Sequence, residues 1–253
     1  MQDCNPTLLP IDRGTTLTRS NPEDVIKDIK PYQSMIGSII YLVTGTRPDL
    51  TFAISFLAQF SSAPNKQHVA AVKRCLRYIK GTRHLTLLFP YGGEMFIAGF
   101  SDSDYGNCID SRRSVSGYLF KLGNSTISWR SQKQKSVSTS TTEAEYVALS
   151  KAAKHFLWLK TALNDLRFPE TPMALFCDNR SAIDLAENHR ISELSKHIDI
   201  HHHRVRELVY DKNLPFMYIR TTDNLADMCT KGLPEVQLSK LRTIALGYNE
   251  GGC

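Results

Sequence analysis

A chain of 253 residues with 42% hydrophobic and 22% charged side chains is ordinary for a globular protein and can bury one large core or two small ones. No apolar run approaches the ~20 residues needed to span a bilayer, and six cysteines without a C-x-x-C pair argue against a disulfide framework or a zinc knuckle. The net charge of +6 leans toward a polyanionic partner; residues 1–95 hold 11 basic against 7 acidic side chains, and the remainder 20 against 18.

The opening "MQDCNPTLLPIDRG" has acids and prolines where a signal peptide has a basic end and an apolar stretch, so an intracellular protein is expected. Residues 1–31 are polar and proline-punctuated, and read as an extended arm. From Tyr32 the pattern turns helical. "YQSMIGSIIYLVTG" and "DLTFAISFLAQFSS" are apolar enough to pack together, and Pro48 and Pro64 punctuate the second. In "KQHVAAVKRCLRYIKGTRH", Val69, Val72, Leu76 and Ile79 form one stripe that Gly81 ends. Lys73, Arg77 and Lys80 lie mostly off it, and no acid occurs between Lys66 and His84. Charge alone makes this a solvated face; beside a domain that acts on nucleic acid, it becomes a track for a phosphate backbone.

Strand patterns follow. "MFIAGFSDSDY" is the first, and "SVSGYLFKL" and "STISWRS" flank Gly123-Asn124, a hairpin signal. A long helix is predicted from about Thr141 to Leu163. "MALFCD" reads as a short buried strand, "NRSAIDLAE" as a helix, "SKHIDIHHHRVRELVYDK" as a longer helix, "LPFMYI" as a last strand and "DNLADMCTK" as a last helix. Residues 233–253 read as a tail. This order describes an α/β fold, a mixed sheet with helices on its faces, preceded by a small helical segment.

Four acids need explanation. Glu145 heads the apolar stripe Ala148, Leu149, Ala152, Phe156, Leu159 and Leu163, where a carboxylate is unfavourable unless paired or metal-bound. Glu143, on the opposite side, is accounted for as the partner of Ser140 in a capping box. Asp178 ends a run without polar alternation, so it stands at the carboxyl end of a buried strand, where ligands collect in α/β sheets. It could equally cap the next helix, as could Asn179. Asp102 and Asp104 alternate with Phe96, Ala98 and Phe100 on one strand face, although a turn would also explain them. Asp227 has no capping role because Asp223 can cap, and alone it reads as a solvent-facing helix residue.

"GFSDSDYGNCIDSRRSVSGYLFKLGNSTISWRSQKQKSVSTSTTEAEYVALSKAAKHFLWLK", "CDNRSAIDLAEN", "SKHIDIHHHRVRE" and "IRTTDNLADMCTKGL" closely resemble, in this order, the ribonuclease H domain of copia-type retrotransposon Pol polyproteins. "YQSMIGSIIYLVTG" through "RHLTLLF" resembles the segment joining reverse transcriptase to that domain. Beyond the arm over 1–31, the resemblance implies a connection segment over 32–92 and a ribonuclease H-like five-stranded sheet over 93–232.

It also implies that Asp102, Glu145, Asp178 and Asp227 are catalytic carboxylates holding two Mg2+ ions, with Mn2+ as a substitute, and that the RNA strand of an RNA–DNA hybrid is cut. Ser140, Thr141 and Asn179 are expected to contact the hybrid, and Arg112, Arg113, Lys73, Arg77 and Lys80 to grip its backbone. Other components of the polyprotein are further partners, in a cytoplasmic particle or the nucleus; no membrane and no small-molecule cofactor is expected. The loop histidine of many cellular relatives is missing from "IRTTDNLAD", which bears on turnover. His197 and His201, four apart on a predicted helix, could suit zinc but lack a second ligand pair. The chain contains no Asp-Asp pair, so polymerase activity is not expected. The competing expectation is an idle nucleic-acid-binding remnant of a decayed element.

Overall fold

Strands β1 (Ile97–Asp104), β2 (Val115–Leu122) and β3 (Ser125–Lys133) form an antiparallel meander. The β2–β3 turn is the expected Gly123-Asn124 pair, with Gly123 at φ 56°, a left-handed conformation that costs glycine little. Strand β4 (Met173–Cys177) adds parallel to β1, and β5 (Phe216–Tyr218) parallel to β4, giving the order β3-β2-β1-β4-β5. The computed structural model describes residues 3–90, 95–169, 171–187 and 214–248. The helix predicted around "SKHIDIHHHRVRELVYDK", with His197 and His201, lies outside them.

Helices α4 (Thr141–Asp165) and α5 (Arg180–Glu187) cover one face of the sheet, where Ile97, Phe120, Leu175 and Phe216 meet Tyr146, Leu149, Phe156 and Ile183. On the other face, Phe100, Val115, Leu119 and Trp129 pack against α1 (Lys30–Gly45), α2 (Thr51–Ala58), α3 (Lys66–Gly81) and a C-terminal helix, α6 (Glu235–Ala245). The alternation of β2 puts Leu119 into one layer and Phe120 into the other, both fully buried. Each such burial stabilises the fold by about 1.5–3 kcal/mol. One polar tie joins the sheet to the helices, Trp129 Nε1 donating to Val43 O at 2.8 Å, and another joins α1 to α2, the Tyr32 hydroxyl donating to Leu57 O at 2.7 Å. This is the five-stranded mixed sheet flanked by helices that the motifs lead one to expect, with the small helical segment laid against its second face.

Two elements differ from the sequence reading. The last predicted helix is a short 3₁₀ helix, Leu225–Cys229, capped by Asn224, whose Oδ1 accepts from Ala226 N at 3.1 Å. Asp223, the expected cap, instead pairs with Arg220 and Lys240, both at 2.7 Å. Residues 233–248, read as tail, contain α6, which starts after Pro234 and buries Leu238, Leu241 and Ala245. The polar arm lies along α3 and buries Ile11 in the shared core.

Candidate metal centre

The register of β1 with β4 decides the site. Ser101 pairs with Cys177, so Asp102, still within β1, stands beside Asp178, the residue that follows the carboxyl end of β4. Glu145 arrives from the first turns of α4. Ser140 fixes that end by accepting the Glu143 amide at 3.1 Å. The Glu143 carboxylate accepts from Thr139 N and Oγ1, both at 2.6 Å, one residue earlier than a full capping box requires.

Asp227 comes from the 3₁₀ helix, which Asn224 anchors by donating from Nδ2 to Ser101 O at 2.9 Å. Thr230 Oγ1 donates to the Asp102 carboxylate. The close approach depends on Gly117, opposite Asp102 on β2: a Cβ there would stand 2.7 Å from both Cys229 Cβ and Thr230 Cγ2. Gly117→Ala is therefore expected to destabilise the fold by about 1–3 kcal/mol through overpacking. By pushing Asp227 away from Asp102, it should also shrink the thermal-stability gain on adding MgCl2; differential scanning calorimetry with and without the salt reads both effects.

All four acids meet. Carboxylate oxygens of Asp102, Asp178 and Asp227 lie within 4.8 Å of one another, as do atoms of Glu145, Cys177 and Asp178, so Asp178 belongs to both groups. Asp102 and Asp227 are fully buried in practice, and Glu145 nearly so. Asp178 does not cap α5; Asn179 does, its Oδ1 accepting Ala182 N at 3.0 Å, while Asp178 accepts from Thr221 Oγ1 at 2.7 Å. Burial, reinforced by the neighbouring charges of Asp102 and Asp178, pushes the Glu145 carboxyl up to about 10. Burial and Asp102 raise Asp227 to about 7, and the same two causes raise Asp178.

The effect of Glu145 on stability has a definite sign. At pH 8 the folded protein keeps a proton on Glu145 that the unfolded chain, near the ordinary 4.5, has lost. Folding then opposes deprotonation, and stability falls as pH rises above the ordinary value. Without metal, Glu145→Gln is expected to be more stable than the parent at pH 8 by several kcal/mol, about 5 at most. The gain should vanish near pH 4, and urea unfolding at the two pH values measures it.

A basic residue absent from the sequence expectations completes the cluster. Lys231 Nζ lies 2.8 Å from Asp227 Oδ1 and 3.6 Å from Asp102 Oδ2. Burial disfavours its charge, but Asp102, Asp227 and Asp104 outweigh that and hold the ammonium above the ordinary lysine range. The signal was the spacing in "DMCTK": residues three and four beyond Asp227 return to its side of a helical turn.

The expected nucleic-acid contacts are dispersed. Thr141 is exposed beside the cluster on the first turn of α4, while Ser140 and Asn179 spend their side-chain oxygens on helix caps. Arg112 and Arg113 are exposed on the β1–β2 loop, Arg112 in a left-handed conformation at φ 52°. Lys73 is exposed on α3, but Arg77 Nε donates to Asn5 O at 2.7 Å and Lys80 Nζ to Cys4 O at 2.8 Å. The arm thus occupies part of the basic face.

Glu145 Oε2 is buried without a hydrogen-bond partner. An orphaned carboxylate oxygen beside three aspartates is the donor set that suits a hard divalent cation such as Mg2+. The buried Cys177 thiol, its pKa raised chiefly by burial, is a poor addition to such a set. Among the described residues, no helix is long and apolar enough to cross a membrane.

No protein-family model matches the chain. The retrovirus-related Pol polyprotein from transposon TNT 1-94 of Nicotiana tabacum is 42% identical over 204 residues, 81% of this chain and 15% of that protein. The corresponding polyprotein from transposon RE1 of Arabidopsis thaliana is 36% identical over 226 residues, 89% of this chain and 15% of that protein. Among solved structures, LC11-RNase H1 in complex with RNA/DNA hybrid aligns at 14% identity with a TM-score of 0.41, covering 53% of this chain and 93% of that one. The chain spans about 15% of the length of these two curated relatives. Over most of its own length, the chain is thus homologous to a segment of the retrovirus-related Pol polyproteins from plant transposons.

Proposed function

We propose that the chain is a metal-dependent nuclease that cleaves the RNA strand of RNA–DNA hybrids. The observation that carries this reading is the meeting of Asp102, Glu145, Asp178 and Asp227, far apart in sequence, with Asp178 shared between two groups of ligand atoms. These four residues would hold divalent ions, Mg2+ first and Mn2+ as a substitute. Ions bound there would supply a polarised water and charge neutralisation at a phosphodiester.

The chain's own groups do the positioning. Thr221 and Thr230 aim Asp178 and Asp102 by hydrogen bonds, and Gln237 Nε2 holds Asp227 Oδ2 at 3.0 Å. Lys231 adds positive charge where the acids would otherwise repel a phosphate. Exposed Thr141, Arg112, Arg113 and Lys73 are the groups free to meet the polyanion, with the 2′-hydroxyls of the RNA strand marking which strand is cut. Ser140 and Asn179 serve it by fixing the helix ends beside the acids, and Arg77 and Lys80 could join only where the arm releases them.

The test is cleavage of an end-labelled RNA–DNA hybrid with MgCl2 and with EDTA, alongside the matching DNA duplex. Cutting of the RNA strand only, and only with the metal, is the expected result. Hybrid binding without any cutting would instead favour the idle remnant.

A further inference from the structure

The two carboxylates nearest Lys231 are the ones a divalent cation would need, and that sets two cations in competition. Lys231 Nζ lies 2.8 Å from Asp227 Oδ1 and 3.6 Å from Asp102 Oδ2, while the oxygens of Asp102, Asp178 and Asp227 stand within 4.8 Å of one another. An ammonium engages these oxygens through N–H donors. A magnesium ion requires lone pairs directed to it at about 2.0–2.1 Å. The same lone pairs cannot serve both, and two cations in one pocket repel each other.

The ammonium is also an incomplete counter-ion. It carries one positive charge among four acids, and its ion pairs reach Asp102 and Asp227 but not Glu145; Glu145 Oε2 and Asp227 Oδ1 are both buried without a geometrically formed hydrogen bond. It is the member of the cluster best able to leave. The Lys231 side chain is 30% exposed, against 2% for Asp102 and none for Asp227, and its charge sits on a flexible four-carbon stem. The backbone need not move with it, because Lys231 N donates to Asp227 O at 3.3 Å in an α-type turn that follows the 3₁₀ helix.

We propose that Lys231 is a resident counter-ion that holds Asp102 and Asp227 together in the metal-free protein and must be displaced from them when a divalent cation binds. The inference rests on the metal-dependent reading of the site and adds a regulatory consequence: the lysine raises the divalent concentration at which the centre fills. It also leaves a displaced ammonium at the rim, where a substrate phosphate would arrive.

The test compares the parent with Lys231→Met by calorimetric titration with MgCl2 or MnCl2 and by thermal unfolding in EDTA. Loss of the competing charge is expected to tighten divalent binding about tenfold. Loss of the counter-ion is expected to lower the EDTA melting temperature by about 3 °C or more. Lys231→Arg, which keeps the charge, should bind the metal within about threefold of the parent. Equal or weaker divalent binding by Lys231→Met overturns the proposal.

Should Lys231→Met fail to fold, acetylation of Lys231 in the parent, followed by peptide mass spectrometry, decides the matter. The rate should rise on adding MgCl2; an unchanged or slower rate overturns the proposal. A parent that shows no divalent binding refutes both the metal-dependent reading and this inference, whereas a parent that binds while Lys231→Met binds no tighter refutes this inference alone.

Discussion

Asp178→Asn is expected to abolish cleavage of the RNA–DNA hybrid, with a loss on the order of 10³-fold or more, the scale on which removal of one directly acting group is felt. The residue is chosen because it belongs to both groups of ligand atoms, so losing its charge weakens both. The amide keeps the carboxylate's shape and can still accept from Thr221 Oγ1 through its remaining oxygen. Its amino group, however, is a donor that cannot bind a cation.

The substitution should not unfold the chain. Asn179 caps α5 independently, and burial and Asp102 already disfavour the Asp178 charge. Thermal unfolding in EDTA is therefore expected to show Asp178→Asn at or above the parent, while the increment from MgCl2 falls. Retained cutting with a parent-like metal increment would remove Asp178 from the centre.

How much of this was legible varied with the range of the determining contacts. Glu145 was legible because a 3.6-residue period places it on a buried stripe, and the helix that fixes its direction is local. Asp102 was legible in part: alternation gives its strand face, but only the pairing of Ser101 with Cys177 puts it beside Asp178. For Asp178 itself, local chemistry was symmetrical between it and Asn179; a hydrogen bond from Thr221, 43 residues away, separates them.

Asp227 could not be read alone, since its burial follows from Gly117 on β2 and from Asn224 reaching Ser101. Helix α6 was hidden for the same reason: its three buried residues are a weak periodic signal, and the core they enter comes from distant helices. The basic face of α3 shows the reverse error. Charge and spacing expose Arg77 and Lys80, but their partners, the carbonyls of Asn5 and Cys4, lie more than 70 residues back.

Asp49→Ala is expected to cost about 3–5 kcal/mol of stability, the effect of leaving a buried charge uncompensated. Arg47 grips Asp49 in a bidentate pair, Nε to Oδ1 at 2.9 Å and Nη2 to Oδ2 at 2.7 Å, with the aspartate side chain fully buried. Burial lowers the Arg47 pKa, but the hydrogen bonds and charge of Asp49 outweigh this, so the guanidinium stays charged. Remove Asp49 and that charge remains, with Thr82 as its nearest acceptor at 2.8 Å. The Tyr78 hydroxyl, which donates to Asp49 at 2.6 Å while accepting from Arg242 at 2.9 Å, loses its acceptor as well.

The consequence reaches the metal centre, because Arg242 and Gln237 share α6, and Gln237 holds Asp227. Urea unfolding should show the midpoint of Asp49→Ala well below that of the parent. Arg47→Met combined with Asp49→Leu, which removes both charges, should recover much of the loss. If Asp49→Ala unfolds within about 1 kcal/mol of the parent, the range of a surface pair, the network does not hold α6 in place. The orientation of Asp227 would then have to come from the Asn224 anchor and Lys231 alone.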